Sequence, residues 1–237
     1  MENKRPALYL FPSNLSEAPV GDVLPPVNIG LITGVKHFIV ENVRTARRFL
    51  KKCNRDINID ELTFSVLDVN TDPATVPAML EPMEQGHDMG IISEAGCPAV
   101  ADPGALAVAE AHRRGYRVMP LVGPSSILLS LMGSGFNGQS FTFLGYLPIH
   151  GSERTAALKQ MHADIMRNNR TQIFIETPYR NNRLIDDIIA ALPPSTRLCV
   201  ATDLTGSEQR ITTLTLAQWR RQPRDYDKIP AIFLLYK

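Results

Sequence analysis

Cysteine is scarce. Cys53, Cys97 and Cys199 are the only three in 237 residues; they form no C-x-x-C pair and leave one over. That excludes a disulfide framework or a zinc site as an organising device and points to a reducing cytoplasm. Net charge is scarce too. Lys and Arg number 25 against 24 Asp and Glu, a balance of +1, so the strongly basic footprint of a protein that grips a duplex by many phosphates is missing, although a local basic patch fits inside a balanced total. No apolar run is long enough to cross a bilayer, and M-E-N-K-R-P-A-L-Y-L-F-P passes straight into a strand-like run without a signal-peptide core. Neither a membrane nor a metal partner is expected. Familiar catalytic signatures are missing as well: there is no G-x-S-x-G elbow, no P-loop and no G-x-G-x-x-G after a strand, and the five histidines are scattered. Gly133 and Gly135 follow a helical pattern and read as its stop. Phosphoryl, hydride and acyl transfer are thereby disfavoured, which leaves a reaction whose reactive carbon arrives on a bound cofactor.

What is present is a hydrophobic fraction of 44%, enough for one large core or two small ones. Short apolar runs alternate with helical patterns, which predicts α/β layering. Strands are predicted at Ala7 to Phe11, His37 to Val40, Thr63 to Leu67, Met89 to Ile92 and Arg117 to Leu121, mainly parallel. A second set is predicted at Ser140 to Leu147, Thr171 to Glu176, Arg197 to Thr202, Arg210 to Leu214 and Ala231 to Tyr236. There the short T-D-L-T-G-S-E-Q-R link suggests a hairpin and hence a mixed sheet. The G-P-S-S turn from Gly123 marks the junction, giving domains 1–123 and 124–237, with Ser125 or Ser126 placed to cap the apolar helix that follows. Asp68 to Pro82 reads as a connection plus a helix from near Pro77, and Leu184, Ile185, Ile188, Ile189 and Leu192 make a one-sided helix. Between the second and third strands, Val43, Ala46, Phe49 and Leu50 line one helix face, with Arg44, Arg47, Arg48, Lys51 and Lys52 around the rest. Those cations are either a solvated face or a nucleic-acid contact.

The densest signal is I-I-S-E-A-G-C-P-A-V-A-D-P-G from Ile91 to Gly104, where a buried strand breaks into small residues, turn formers and two acids before a helix. Gly96 and Gly104 lack a Cβ and let backbone N–H groups approach a ligand, and in open α/β sheets ligands sit beyond the carboxyl ends of strands. A tight connection with Asp102 capping the helix is the alternative reading.

This loop resembles the S-D-A-G-x-P-x-x-S-D-P-G loop of the tetrapyrrole methylase-like superfamily, and within it the ribosomal RNA ribose methyltransferases that act on a cytidine of the small subunit. Glu94 stands for the usual Asp and Ala101 for the usual Ser. Further motifs agree in order and spacing: V-E-N-V-R-T-A-R-R-F-L from Val40, V-G-P-S-S from Val122, G-Y-L-P from Gly145, E-T-P-Y-R from Glu176 and A-T-D-L-T from Ala201. The resemblance implies two α/β domains of the tetrapyrrole methylase fold with S-adenosyl-L-methionine in the cleft between them, a homodimer, and 2′-O-methylation of a cytidine ribose in 16S ribosomal RNA. Position by position it implies cofactor contacts at Pro12, Ser93, Ala95, Gly96, Cys97, Val100, Ser125, Ser126, Glu176 and Leu204. Helix capping by Ser125 and Ser126, and a water-facing strand end at Glu176, are the competing readings.

Methyl transfer to a hydroxyl demands alignment of oxygen, methyl and sulfonium plus a proton acceptor. Asp102, Glu41 and Glu94 are the acids in motif positions; Asp102 is favoured because a helix start favours its ionised form. Arg44 and Arg180 match family arginines and suit a phosphate, unless tied to Glu41 or Glu176. Three features depart from the family. The first loop reads F-P-S-N-L-S-E-A-P in place of T-P-I-G-N-L-x-D, no helical extension follows the last strand, and the G-E before that strand is missing. They describe a divergent, shortened relative. Two rival functions stay open: a methylase of corrin or porphyrin precursors, disfavoured because the loop lacks their G-x-G-D-P form, and a non-catalytic RNA-binding or assembly module that keeps the fold.

Overall fold

The structure, a computed structural model, describes residues 5–237; the first four residues of the segment read as leader-free lie outside them. The chain divides into two compact units, one ending at Ser125 and the other running from Ser126 to Lys237.

In the first unit β1 (Ala7–Phe11), β2 (His37–Val40), β3 (Thr63–Val66), β4 (Met89–Ile92) and β5 (Arg117–Pro120) form one sheet in the order β3-β2-β4-β1-β5, every pairing parallel. Alternating side chains feed two cores, as the period of two requires. Phe11, Phe38, Val40 and Ile92 point to the face covered by α1 (Val20–Val23), α2 (Pro26–Ile32) and α3 (Val43–Cys53). Leu8, Leu10, Ile39, Met89 and Ile91 point to the face covered by α4 (Val76–Met79), α5 (Glu81–Glu84) and α6 (Gly104–Arg113). Gly90 makes the first face possible: a Cβ there would lie 2.8 Å from both the Phe11 and Phe38 rings, whose centroids are 6.3 Å apart. The helix expected from near Pro77 is two single turns, because Pro77 and Pro82 each begin a turn they cannot continue from the preceding one.

The second unit opens with α7 (Ser126–Ser134), followed by β6 (Phe141–Tyr146), α8 (Gly151–Asn168), β7 (Thr171–Ile175), α9 (Asn181–Ala191), β8 (Arg197–Thr202), β9 (Arg210–Thr215), α10 (Leu216–Trp219) and β10 (Ala231–Tyr236). The sheet order is β6-β7-β10-β8-β9, parallel between β6 and β7 and antiparallel elsewhere, with β8 and β9 as the expected hairpin. A parallel first sheet and a mixed second one are the layering the sequence predicts. Phe174, Val200, Phe233 and Leu235 pack with Leu158, Ile165, Leu184, Ile188 and Trp219 in one core. Gly133 lies inside α7, where a Cβ would meet Ile211, so the stop belongs to Gly135 alone, at φ +73.

Candidate functional site

Strand order locates the site. From β1 the chain leaves through α1 and α2 to β2, on the β4 side; from β4 it leaves through α6 to β5, on the far side of β1. Adjacent strands whose connections depart in opposite directions open a crevice at their carboxyl ends, where α/β sheets take ligands. The loops after β1 and β4 are joined there: Ser13 N–H donates to Gly96 O (2.9 Å) and Gly96 N–H to Ser13 O (3.2 Å). Gly96 sits at φ +75, and a Cβ there would lie 3.0 Å from Leu15 Cδ2. Its glycine is therefore required by the turn itself. Ser93 is buried and its hydroxyl donates to Gly96 O (3.0 Å), while the Cys97 thiol donates to Pro124 O (3.4 Å). Burial raises the Cys97 thiol above its ordinary range, and a raised thiol presents less of the nucleophilic thiolate. The backbone N–H groups of Ala95 and Cys97 have no protein acceptor among the described residues. Ala95 is exposed and Cys97 half-buried, so both N–H groups stand open on either side of a glycine, where a polar ligand can approach the backbone.

The rest of the loop is strained and braced. Ala99 (φ 65) and Ala101 (φ 60) adopt left-handed conformations, each costing on the order of 1–3 kcal/mol in a non-glycine residue. Asp102 Oδ1 offsets this by accepting from Ala99 N–H and Gly104 N–H, both at 2.8 Å. Between them Val100 is left 50% exposed. The expectation that a helix start would favour ionised Asp102 needs correction: burial raises its carboxyl above the usual range and outweighs the two N–H donors. Its geometry is that of a loop brace that also holds the first N–H of α6, while Pro103 at the N-cap position makes no side-chain cap bond. Glu41 is also raised, first by burial and then by Asp102, Glu94 and Asp68, against the lowering effect of the Glu94 N–H (3.3 Å). Glu94 accepts from the Thr45 hydroxyl. Glu41, Asp102 and Gly104 line a cavity of about 10 Å³, room for about one water.

Pro12 is buried where a Cβ on Gly123 would collide with its ring. Ser13, which the sequence reading passed over, is 4% exposed with a hydroxyl that lacks a partner; its position beside Pro12 was the available signal.

Within the second unit Ser126 opens α7, directly after Ser125. Glu176 is neither a water-facing strand end nor a free ligand. Its Oε2 accepts from Arg154 (3.2 Å), and its Oε1 accepts from Thr177 N–H (2.7 Å) and Arg180 Nη2 (2.6 Å). Arg154 is itself buried and also binds Asp187 Oδ2 (2.9 Å) and Pro148 O (2.8 Å). Arg180, expected at a phosphate, is thus committed to Glu176, the competing reading given above. Leu204 is buried between Asp203 (φ 46) and Thr205 (φ 70), and neither of its backbone polar groups bonds to protein among the described residues. Arg44 is exposed on α3 without an ion-pair partner among the described residues, its own N–H held by the Asn42 cap.

No protein-family model matches the chain. It is 28% identical over 216 residues to the ribosomal RNA small subunit methyltransferase I of Vibrio cholerae, covering 91% of this chain and 71% of that protein. To the protein of the same name from Mesorhizobium japonicum it is 30% identical over 213 residues, covering 89% of this chain and 68% of the relative. Among solved structures it resembles the methyltransferase CobJ, with a TM-score of 0.63 and 15% identity over 98% of this chain and 92% of that one. It also resembles uroporphyrin-III-C-methyltransferase from Thermus thermophilus, with a TM-score of 0.57 and 14% identity over 98% and 93%.

Proposed function

The chain belongs to the ribosomal RNA small subunit methyltransferase I family, and from that premise we propose that it methylates the ribose 2′-hydroxyl of a cytidine in small-subunit ribosomal RNA. The enzyme class follows from the relatives; the acceptor atom and nucleotide are our reading. The observation that carries it is the bridged pair of loops at the switch point, with the Ala95 and Cys97 N–H groups unspent beside Gly96.

S-adenosylmethionine, the donor we assign, supplies a methyl group on a positively charged sulfur. The chain's residues position and surround it. Gly96 gives close backbone approach, Ala95 and Cys97 offer N–H donors, and Val100 presents an apolar wall. Glu41 and Asp102 lie at the same end of the sheet and favour a cationic centre there. Ser93 and Asp102 hold the loop's shape. Pro12, Ser125, Ser126 and the Leu204 backbone are further proposed contacts, with Glu176 acting through the turn it anchors at Thr177. Arg44 is the proposed phosphate ligand, since Arg180 is engaged elsewhere. The reading carries a cytoplasmic homodimer, as the resemblance implies. A tetrapyrrole acceptor is less well supported: the likeness to tetrapyrrole enzymes is one of fold at 14–15% identity.

Calorimetric titration with S-adenosylmethionine tests the site. Val100→Lys should weaken binding at least about tenfold, roughly 1.4 kcal/mol, without moving the unfolding midpoint, because the valine is half exposed. Unchanged affinity removes the loop as the cofactor site.

A further inference from the structure

The opposite end of the first sheet carries a second concavity. Because β1, β4 and β2 are neighbours and parallel, their lead-in segments converge at the amino-terminal edge. Arg5 and Pro6 precede β1, Gly34 and Lys36 precede His37 on β2, and Gly86, His87 and Asp88 precede β4; together they line an open cavity of about 560 Å³. Small-ligand sites span roughly 300–1,000 Å³, so the space suits a nucleotide better than a bare anion.

Its chemistry is cationic and aromatic. The His37 and His87 rings lie 5.1 Å apart at 40°, and Thr63 Oγ1 holds His37 Nδ1 at 2.7 Å. Arg5 spends one donor on Gly115 O (3.1 Å), leaving the rest of its fork for another acceptor. Lys36 pairs with Glu61 at 3.1 Å, with both side chains more than half exposed, and such a pair is readily exchanged for a better anion. The cavity's one carboxylate, Asp88, has Oδ1 committed to Ala7 N–H (2.7 Å). Burial, then His87 and Lys36, lower the proton affinity of His37; an anion would oppose the last two. No cluster of three metal-ligating side chains occurs among the described residues.

We infer that this cavity binds the phosphate of a nucleotide, with Arg5 and Lys36 on the phosphate oxygens and the His37–His87 pair beside the sugar or base. Imidazole rings serve as stacking surfaces for unpaired bases. The nucleotide is either free or part of an RNA strand. No residue of the switch-point loops takes part, so the inference stands or falls apart from the methyl-transfer reading.

Proton NMR of the two histidines tests it, during titration with inorganic phosphate, cytidine 5′-monophosphate and a short single-stranded RNA lacking terminal phosphates. The nucleotide should shift both imidazoles and raise the His37 titration midpoint. The double variant Arg5→Gln, Lys36→Gln should weaken binding about tenfold or more, as expected when charge-assisted contacts are lost. S-adenosylmethionine affinity, measured on the same samples, should not change. Equal sensitivity with the RNA assigns an internal phosphodiester; a response to the monophosphate alone assigns a free nucleotide. A response to inorganic phosphate only, shifts insensitive to the double variant, or no shift with any probe overturns the inference.

Discussion

Asp102 ties the strained Ala99 to Gly104, the first residue of α6, through one oxygen, Oδ1. Asparagine keeps that acceptor and loses the charge, so Asp102→Asn should retain methyl transfer within about tenfold, whereas Asp102→Ala should lose S-adenosylmethionine affinity as the loop relaxes. If the asparagine variant binds cofactor normally but turns over more than about a thousandfold more slowly, within the range a general base supplies, Asp102 is the proton acceptor and not a brace. Glu41 makes a pH prediction. Its folded carboxyl lies above the ordinary value, so its contribution to stability is full below the unfolded carboxylate range and is lost as pH rises through the folded value. Glu41→Gln should therefore gain stability relative to the parent as pH rises above the ordinary carboxylate value of about 4, measured by urea unfolding. Parallel curves would contradict the assignment. At this scale the sequence was legible where neighbours decide the outcome, as for Gly96, and illegible where the partner is remote. Nothing near Glu176 announces Arg154, 22 positions away and buried.

Helix α3 shows what a charge run becomes once folded. Arg47 lies over the Phe64 ring at 5.5 Å, Lys52 pairs with Glu17 at 2.9 Å, and Lys51 donates to Arg55 O at 2.9 Å. Arg44 and Arg48 are left without an ion-pair partner among the described residues, on a helix held by the Asn42 cap. Replacing both with Gln should weaken RNA binding and lower the slope of log affinity against log salt by about one per lost phosphate contact. Cofactor affinity should stay unchanged. Wild-type affinity and slope in filter-binding assays would make the face a solvated surface only. Strands β1, β2, β4, β8 and β10 are legible to the residue, because short, nearly continuous apolar runs bounded by turn formers leave little choice. The longest helix, α8, was not singled out. Its buried positions are Arg154, Leu158, Met161 and Ile165, and an arginine at the head of the stripe breaks the apolar pattern by which an amphipathic helix is recognised.

Strand order was the part no local pattern could provide. The order β3-β2-β4-β1-β5 arises from pairings between segments as much as 110 residues apart, such as Ala7 with Arg117, yet it alone explains why the loops after β1 and β4 meet. The loop motif was legible as a ligand loop; its bridge to Ser13 required the sheet. Whether the assembled crevice serves RNA methylation is decided most directly by supplying the purified chain with methyl-labelled S-adenosylmethionine and small ribosomal subunits from cells lacking it, then mapping the modified nucleotide by mass. The account predicts label on the ribose of a single cytidine of the small-subunit RNA. Label on a base, on ribosomal protein or only on an added tetrapyrrole, or no transfer by a chain that binds the cofactor, would contradict it.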